Sequence, residues 1–247
     1  MVKTQWAKLP LAPRMGRRGS SKRKGSAMMI PARDPITAAC RLHDRSMIHL
    51  GQRRFPRAER ICRRALHLIV AAAGADHPDV ANVLLTLGSS LEEQGRNADA
   101  ARCFRRSVCI LREAPDDPLI KRLLVRALTS LGGSYRVQGR YRRAEAIYRR
   151  ALTLAEQALG LDLDTASVLN NLGILYKYMG RFGRAARRYR RALAIVVAQV
   201  GPEHCDVAAI YHNLGGLEHA RGRHARGEPF ARRSVAIRSK LLGPDHP

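Results

Sequence analysis

One register returns five times along this chain, and that recurrence limits the fold more than any other feature. Each copy opens on an arginine, then sets a small residue four places on, a ring or its substitute eight places on, and a small–aliphatic pair after that. The copies read Arg54, Ala58, Cys62, Ala65-Leu66; Arg96, Ala100, Phe104, Ser107-Val108; Arg140, Ala144, Tyr148, Ala151-Leu152; and Arg181, Ala185, Tyr189, Ala192-Leu193. The last copy, 223–235, is looser. The residues just after the opening arginine (Phe55, Asn97, Tyr141, Phe182, His224) are 42, 44, 41 and 42 positions apart. A fixed period of this size means one structural unit copied, each burying its apolar stripe only against its neighbours.

Both halves of the unit are helical by pattern. Leu169, Leu172, Leu175, Tyr176 and Met179 fall on one face at three- and four-residue steps. Between units stand Gly74-Ala-Asp-His-Pro78, Gly201-Pro-Glu-His-Cys205 and Gly243-Pro-Asp-His-Pro247, with Ala114-Pro-Asp-Asp-Pro118 and Gly160-Leu-Asp-Leu-Asp164 as variants. Glycine in the left-handed conformation ends one helix, and Asp with Pro opens the next. His77, His204 and His246 recur there and serve local hydrogen bonding. Gly88, Gly132, Gly173 and Gly215 each stand seven places before a loop glycine. Glycine inside a helix costs about 0.5–1 kcal/mol against alanine, so its return at one place implies close backbone approach by a neighbouring helix.

These residues carry a resemblance. The set Leu169, Leu172-Gly173, Tyr176, Gly180, Phe182, Ala185, Tyr189 and Ala192-Leu193 resembles a tetratricopeptide repeat. The long unit and the Gly-x-Asp-His-Pro linker resemble the kinesin light chain-like variety. The resemblance covers about 36–247 and implies an all-α, right-handed superhelical α-solenoid of five antiparallel helix pairs, with a concave groove lined by the first helix of each pair. The expected units are about 36–74, 78–113, 118–160, 162–201 and 203–243, in a domain spanning 34–247. Two departures stand out: Arg53 replaces the first loop glycine, and Pro229 implies a last helix that starts late or kinks.

Residues 1–33 carry nine Lys/Arg, no acid and scattered Pro, Gly and Ser, the composition of a disordered basic tail. The net charge is +25, from 38 Arg and 7 Lys against 20 acids. It favours acidic partners and attracts polyanions without naming one. Five scattered cysteines without a Cys-x-x-Cys pair argue for buried thiols in a reducing, cytoplasmic setting, and against a disulfide framework or a structural zinc site. No apolar run is long enough to span a membrane, so no membrane partner is expected.

Catalytic constellations are missing: no Gly-x-Ser-x-Gly, no phosphate-cradling glycine loop and no paired carboxylates in a pocket-forming context. An enzyme, a cofactor and a metal site are not expected. Counting back from each loop glycine assigns the groove. The second unit supplies Asn82, Leu85, Ser89 and Glu92, and the third Arg126, Thr129, Gly133 and Arg136. The fourth supplies Ser167, Asn170, Asn171, Ile174 and Lys177, and the fifth His212, Asn213 and His219. Asn171 and Asn213 occupy equivalent places. The resemblance implies that such amides hold the backbone of an extended peptide, the alternative being that they bridge neighbouring helices. The Lys and Asn pair of the family's carboxylate clamp is missing.

The expected function is a protein–protein interaction scaffold whose groove binds a peptide or partner protein. Its basic third and fourth units favour an acidic ligand. The runner-up is non-specific nucleic-acid or polyanion binding through the tail and the arginine pairs Arg63-Arg64, Arg105-Arg106, Arg149-Arg150, Arg190-Arg191 and Arg232-Arg233, which read first as a solvated convex face. A third reading is a fragment of a longer repeat-containing regulator. The apolar side of the last helix, with Phe230, Val235, Ile237 and Leu241, lacks a following unit in this sequence, so either truncation or end-to-end self-association is expected.

Overall fold

The computed structural model describes residues 34–242; the expected basic tail and the final linker with His246 lie outside the described residues. Helix breakers and caps cut the described residues into ten helices: α1 (Pro35–Gly51), α2 (Phe55–Ala73), α3 (Pro78–Glu93), α4 (Asn97–Glu113), α5 (Pro118–Val137), α6 (Tyr141–Ala158), α7 (Leu163–Tyr178), α8 (Phe182–Val200), α9 (Cys205–Ala220) and α10 (His224–Leu242). No strand occurs among the described residues.

The caps differ in detail from the sequence expectation. Asp34, Asp117 and Asp162 accept the first free N–H groups of α1, α5 and α7 through their carboxylates. In α3 and α9 the imidazole does this: Nδ1 of His77 and of His204 accepts from the N–H of Asp79 and Asp206, each at 3.2 Å. Gly74 and Gly201 have positive φ (90° and 82°) but ψ of 164° and 170°, so they extend the chain rather than wind it left-handed. Within the pairs, Arg53 (φ 59°) takes the positive φ that Gly95, Gly139, Gly180 and Gly222 take at the same loop place in the later units.

Helices pack in consecutive pairs, and each pair packs on the next. Contacts two helices apart join α1 to α3, α3 to α5, α5 to α7 and α7 to α9, with none between successive second helices among the described residues. One row is therefore crowded and the other splayed, which curves the α-solenoid with the first helices on its concave side.

The seam inside each pair corrects one expectation. A Cβ on Gly173 would meet the Tyr189 ring at 2.5 Å, and one on Gly132 the Tyr148 ring at 2.7 Å; Gly88 faces Phe104 in the same way. Rings, not backbone, fill the space that these glycines leave. Backbone approach occurs in the last pair alone among the four, where Ala231 replaces the ring and the Gly227 carbonyl lies 3.3 Å from a Cβ built on Gly215. These contacts belong to one core, with Tyr148, Tyr176, Tyr189 and Phe104 fully buried.

Two further expectations are overturned. α10 does not start late: it runs from His224 through Pro229. Proline removes one backbone donor, and the close Gly215–Gly227 seam and buried Ile237 hold the helix around it. Of the five cysteines only Cys62 is buried, while Cys109 is exposed because its place on α4 faces away from both neighbours; all five are free thiols.

Candidate functional site: the concave groove

The five first helices, α1, α3, α5, α7 and α9, set their inward faces along one groove of about 1010 Å³. All ten residues singled out for partner binding line it: Asn82 from α3, Arg126, Thr129 and Arg136 from α5, Ser167, Asn170, Asn171 and Lys177 from α7, and His212 and Asn213 from α9. Leu85, Ser89, Glu92, Gly133 and Ile174 line it too. His219 does not; its ring packs edge-on against His224 with centroids 4.6 Å apart. It is the next-to-last residue of α9, at the register place that Arg136 and Lys177 fill within the groove.

Several of these groups have internal bonds. The Asn171 side chain donates to the Ser167 carbonyl (2.9 Å), while that of Asn213 donates to Oδ1 of Asn170 (2.9 Å) and ties α9 to α7. Equivalent positions thus make different bonds: the preceding first helix offers Asn170 to Asn213, but at the same register place it offers Thr129 to Asn171. Each amide retains donor or acceptor capacity toward the groove. The Thr129 hydroxyl donates to the Val125 carbonyl at 2.7 Å.

The charge pattern is narrower than a basic third and fourth unit. Arg126 is held by the nearly buried Asp164 (2.8 Å), and Arg122 pairs with Asp162 (2.8 Å) and with Asp164 (3.6 Å). The acids that open α7 thereby neutralise two arginines of α5. Arg136 and Lys177 form no ion pair among the described residues, and both lie over the ring of Tyr178, at 5.5 and 5.9 Å from its centroid. Tyr178 is 58% exposed and stacks on Tyr141. The pKa of His212 is lowered by burial and by Arg238 and Lys177.

Sequence reasoning missed several groove residues. Val137 and Tyr178 are exposed, line the groove, and share one register place, two before the loop glycine. An apolar residue there in two adjoining units is a signal that a count by register would have found. Arg238 was missed because it comes from a second helix, α10. His43 lies in the groove wall nearly buried, its Nε2 2.8 Å from the Thr86 hydroxyl, which in turn donates to the Met47 sulfur.

Among the described residues one group has metal-ligand chemistry: His204, Cys205 and Asp206, with ligand atoms within 4.8 Å of one another. His204 already accepts the Asp206 N–H, and α3 builds the same cap from His77 and Asp79 with Pro78 where α9 has Cys205. The group is therefore a helix cap, and it lies away from the groove.

Two family models described as tetratricopeptide repeat match the chain, one over residues 37–113 and 123–196 and the other over 207–247. The chain belongs to the tetratricopeptide repeat family. No curated protein matches the sequence. Among solved structures, this tetratricopeptide repeat chain is similar to BtubC (BKLC) from P. vanneervenii, at 24% identity and a TM-score of 0.67, covering 88% of this chain and 85% of that one. A Podosopora anserina putative kinesin light chain with nearly identical TPR-like repeats is 14% identical, with a TM-score of 0.64, 85% of this chain and 99% of that one being covered. The Rap conjugation gene regulator of plasmid pLS20, in complex with the Phr* peptide, is 14% identical at a TM-score of 0.68, over 88% of this chain and 60% of the regulator. At these identities the likeness is one of fold, and the fold it shares is that of kinesin light chain-like repeats. No helix among the described residues is long and apolar enough to cross a membrane.

Proposed function

We propose that the chain is a non-catalytic, cytoplasmic scaffold that captures an extended peptide segment of a partner protein in its concave groove. The observation that carries this reading is the ladder of side-chain amides, Asn82, Asn170, Asn171 and Asn213, along one open groove built from successive units. An amide both donates and accepts, so a row of them can pair with peptide bonds whatever the ligand side chains are. The unpaired Arg136 and Lys177 favour a ligand of acidic character. A relative in fold crystallised with its peptide, the Rap regulator, supports the choice of a peptide as occupant.

Photo-cross-linking tests it. A benzophenone side chain placed at Thr129 should cross-link peptides drawn from a random display library, and the same group placed at the exposed Arg64 should not. Equal labelling from both places would refute a groove site.

A second reading is favoured by one observation. Arg64, Arg105, Arg150 and Arg190 on the outer helices are exposed and form no ion pair among the described residues. They support non-specific polyanion binding, which would show as affinity for any RNA or DNA sequence that falls steeply with salt.

A further inference from the structure

The groove contains a place where buried polar groups lack partners, beside Glu92, which accepts from the Ser134 hydroxyl at 3.3 Å. Among the described residues, Arg136 Nε, the Tyr148 hydroxyl and the Tyr189 hydroxyl are buried and form no hydrogen bond of good geometry. Both tyrosines are 0% exposed. Burial pushes the Tyr148 phenol up to about 12 and raises that of Tyr189 as well, and the Arg136 charge, close to both, acts against the rise. The Lys177 ammonium stands on the neighbouring helix over the same Tyr178 ring as Arg136. Buried donors without partners are rare in folded proteins, because their lost hydration is not replaced.

Space is kept open at the same place. A Cβ on Gly133 would lie 3.6 Å from the Tyr148 hydroxyl, and one on Gly216 would lie 3.6 Å from Lys177 Nζ. The equivalent places in α3 and α7 hold Ser89 and Ile174. Glycine is a poor helix residue, and here a second glycine follows the seam glycine, Gly132 against the Tyr148 ring and Gly215 against backbone, at each of the two places beside a polar head. Arg126 marks the contrast: its partner Asp164 is supplied by the chain itself.

We infer that Arg136, Lys177 and the recess over Gly133 form a subsite for one oxyanion of the ligand, a carboxylate or a phosphate. The inference rests on the groove reading above. An oxyanion supplies several acceptor positions at once. The planar Arg136 guanidinium presents a fork of N–H groups matched to it, and Lys177 adds a second charge from the opposite helix. The Tyr178 ring beneath both cations holds them toward the opening. When Arg136 turns to the oxyanion, the Tyr148 hydroxyl beneath it becomes a further donor.

Three biotinylated peptide pools with random flanks and a fixed central phosphoserine, aspartate or serine serve as probes on the full chain. The phosphoserine or aspartate pool should be retained about tenfold over the serine pool, a difference ordinary for one charge-assisted contact. That preference should vanish in Arg136→Gln and in Lys177→Gln and survive in the outer-face control Arg150→Gln. Preference for phosphoserine alone assigns a phosphate, and equal preference for aspartate assigns a carboxylate; either supports the subsite. Retention of the serine pool at the level of the other two would overturn the subsite while leaving a peptide groove standing. Retention of no pool would overturn both. Inorganic phosphate gives an independent readout if a glutamine variant is poorly folded: it should raise the melting temperature of the wild-type chain more than that of Lys177→Gln, and an equal rise would count against the subsite.

Discussion

The inner and outer faces of this α-solenoid are both rich in arginine, yet the two sets of side chains are in different physical states. On the outer helices Arg63, Arg149 and Arg232 lie four residues after Glu59, Glu145 and Glu228 and pair along their own helices. Arg106 and Arg191 reach Asp76 and Glu156. The guanidinium ends of these pairs are exposed, although Glu145 itself is buried and also takes Tyr176 and Arg181; exposed pairs are worth about 0–1 kcal/mol each. On the inner face Arg126 is fixed between helices by a carboxylate that is 5% exposed, while Arg136 sits among buried polar groups and forms no ion pair among the described residues. Exposure decides the difference: water answers the outer charges, and the inner ones need either a built-in acid or a ligand. Counting arginines would have ranked the outer face first as a binding surface; counting unanswered donors ranks the inner one.

The largest expected effect lies on the seam that joins the two faces. Gly173→Leu would drive a side chain into the Tyr189 ring, which lies 2.5 Å from the position of a Cβ. It should destabilise the chain by about 3 kcal/mol, measured by urea denaturation; a fully tolerated leucine would show that the ring does not need that space.

The next effect sharpens the inner face. Asp164→Ala removes the acid that answers Arg126 and Arg122. The loss should be about 1–3 kcal/mol, larger than for any outer pair, because it leaves partly buried charge unmatched. A loss no greater than that of Glu228→Ala would erase the distinction between the faces.

A smaller effect is expected from pH. Burial holds the pKa of His43 below its ordinary value of 6.5. The unfolded chain then takes up a proton that the folded chain refuses. Stability is therefore full above about 6.5 and falls as the pH drops through that value toward the folded-state pKa. Melting curves from about pH 7.5 down to 5.5 should show a decline that is shallower in His43→Gln. Parallel declines would assign it instead to His212, whose pKa burial also lowers, and to the net positive charge. The smallest effect belongs to the outer face: Arg150→Ala should change stability by no more than about 0.5 kcal/mol, by the same denaturation assay.

Most of the fold was legible because the signals were local and repeated. The 41–44-residue spacing of the residues after each opening arginine located all five pairs. Counting back from a loop glycine fixed the inward face, since helical geometry ties position to direction; only His219 was misassigned. What stayed hidden depends on residues distant in sequence. The Arg126–Asp164 pair spans 38 positions and joins two units, so a reading unit by unit saw a free charge there. Glycine at a recurring helix place signalled close packing without saying whether ring or backbone fills the gap. The capping role of His77 and His204 was visible as recurrence, but not as the hydrogen bond itself.

The central claim, that the inner face is the binding surface, is tested most directly by calorimetric titration of one display-selected peptide. It is titrated into the full chain, into the inner variant Asn170→Ala/Lys177→Ala and into the outer variant Arg150→Ala/Arg190→Ala. The account predicts a Kd weakened by about tenfold or more in the inner variant, as for lost buried polar contacts, and unchanged in the outer one. Weakening in the outer variant with the inner one unaffected would contradict it.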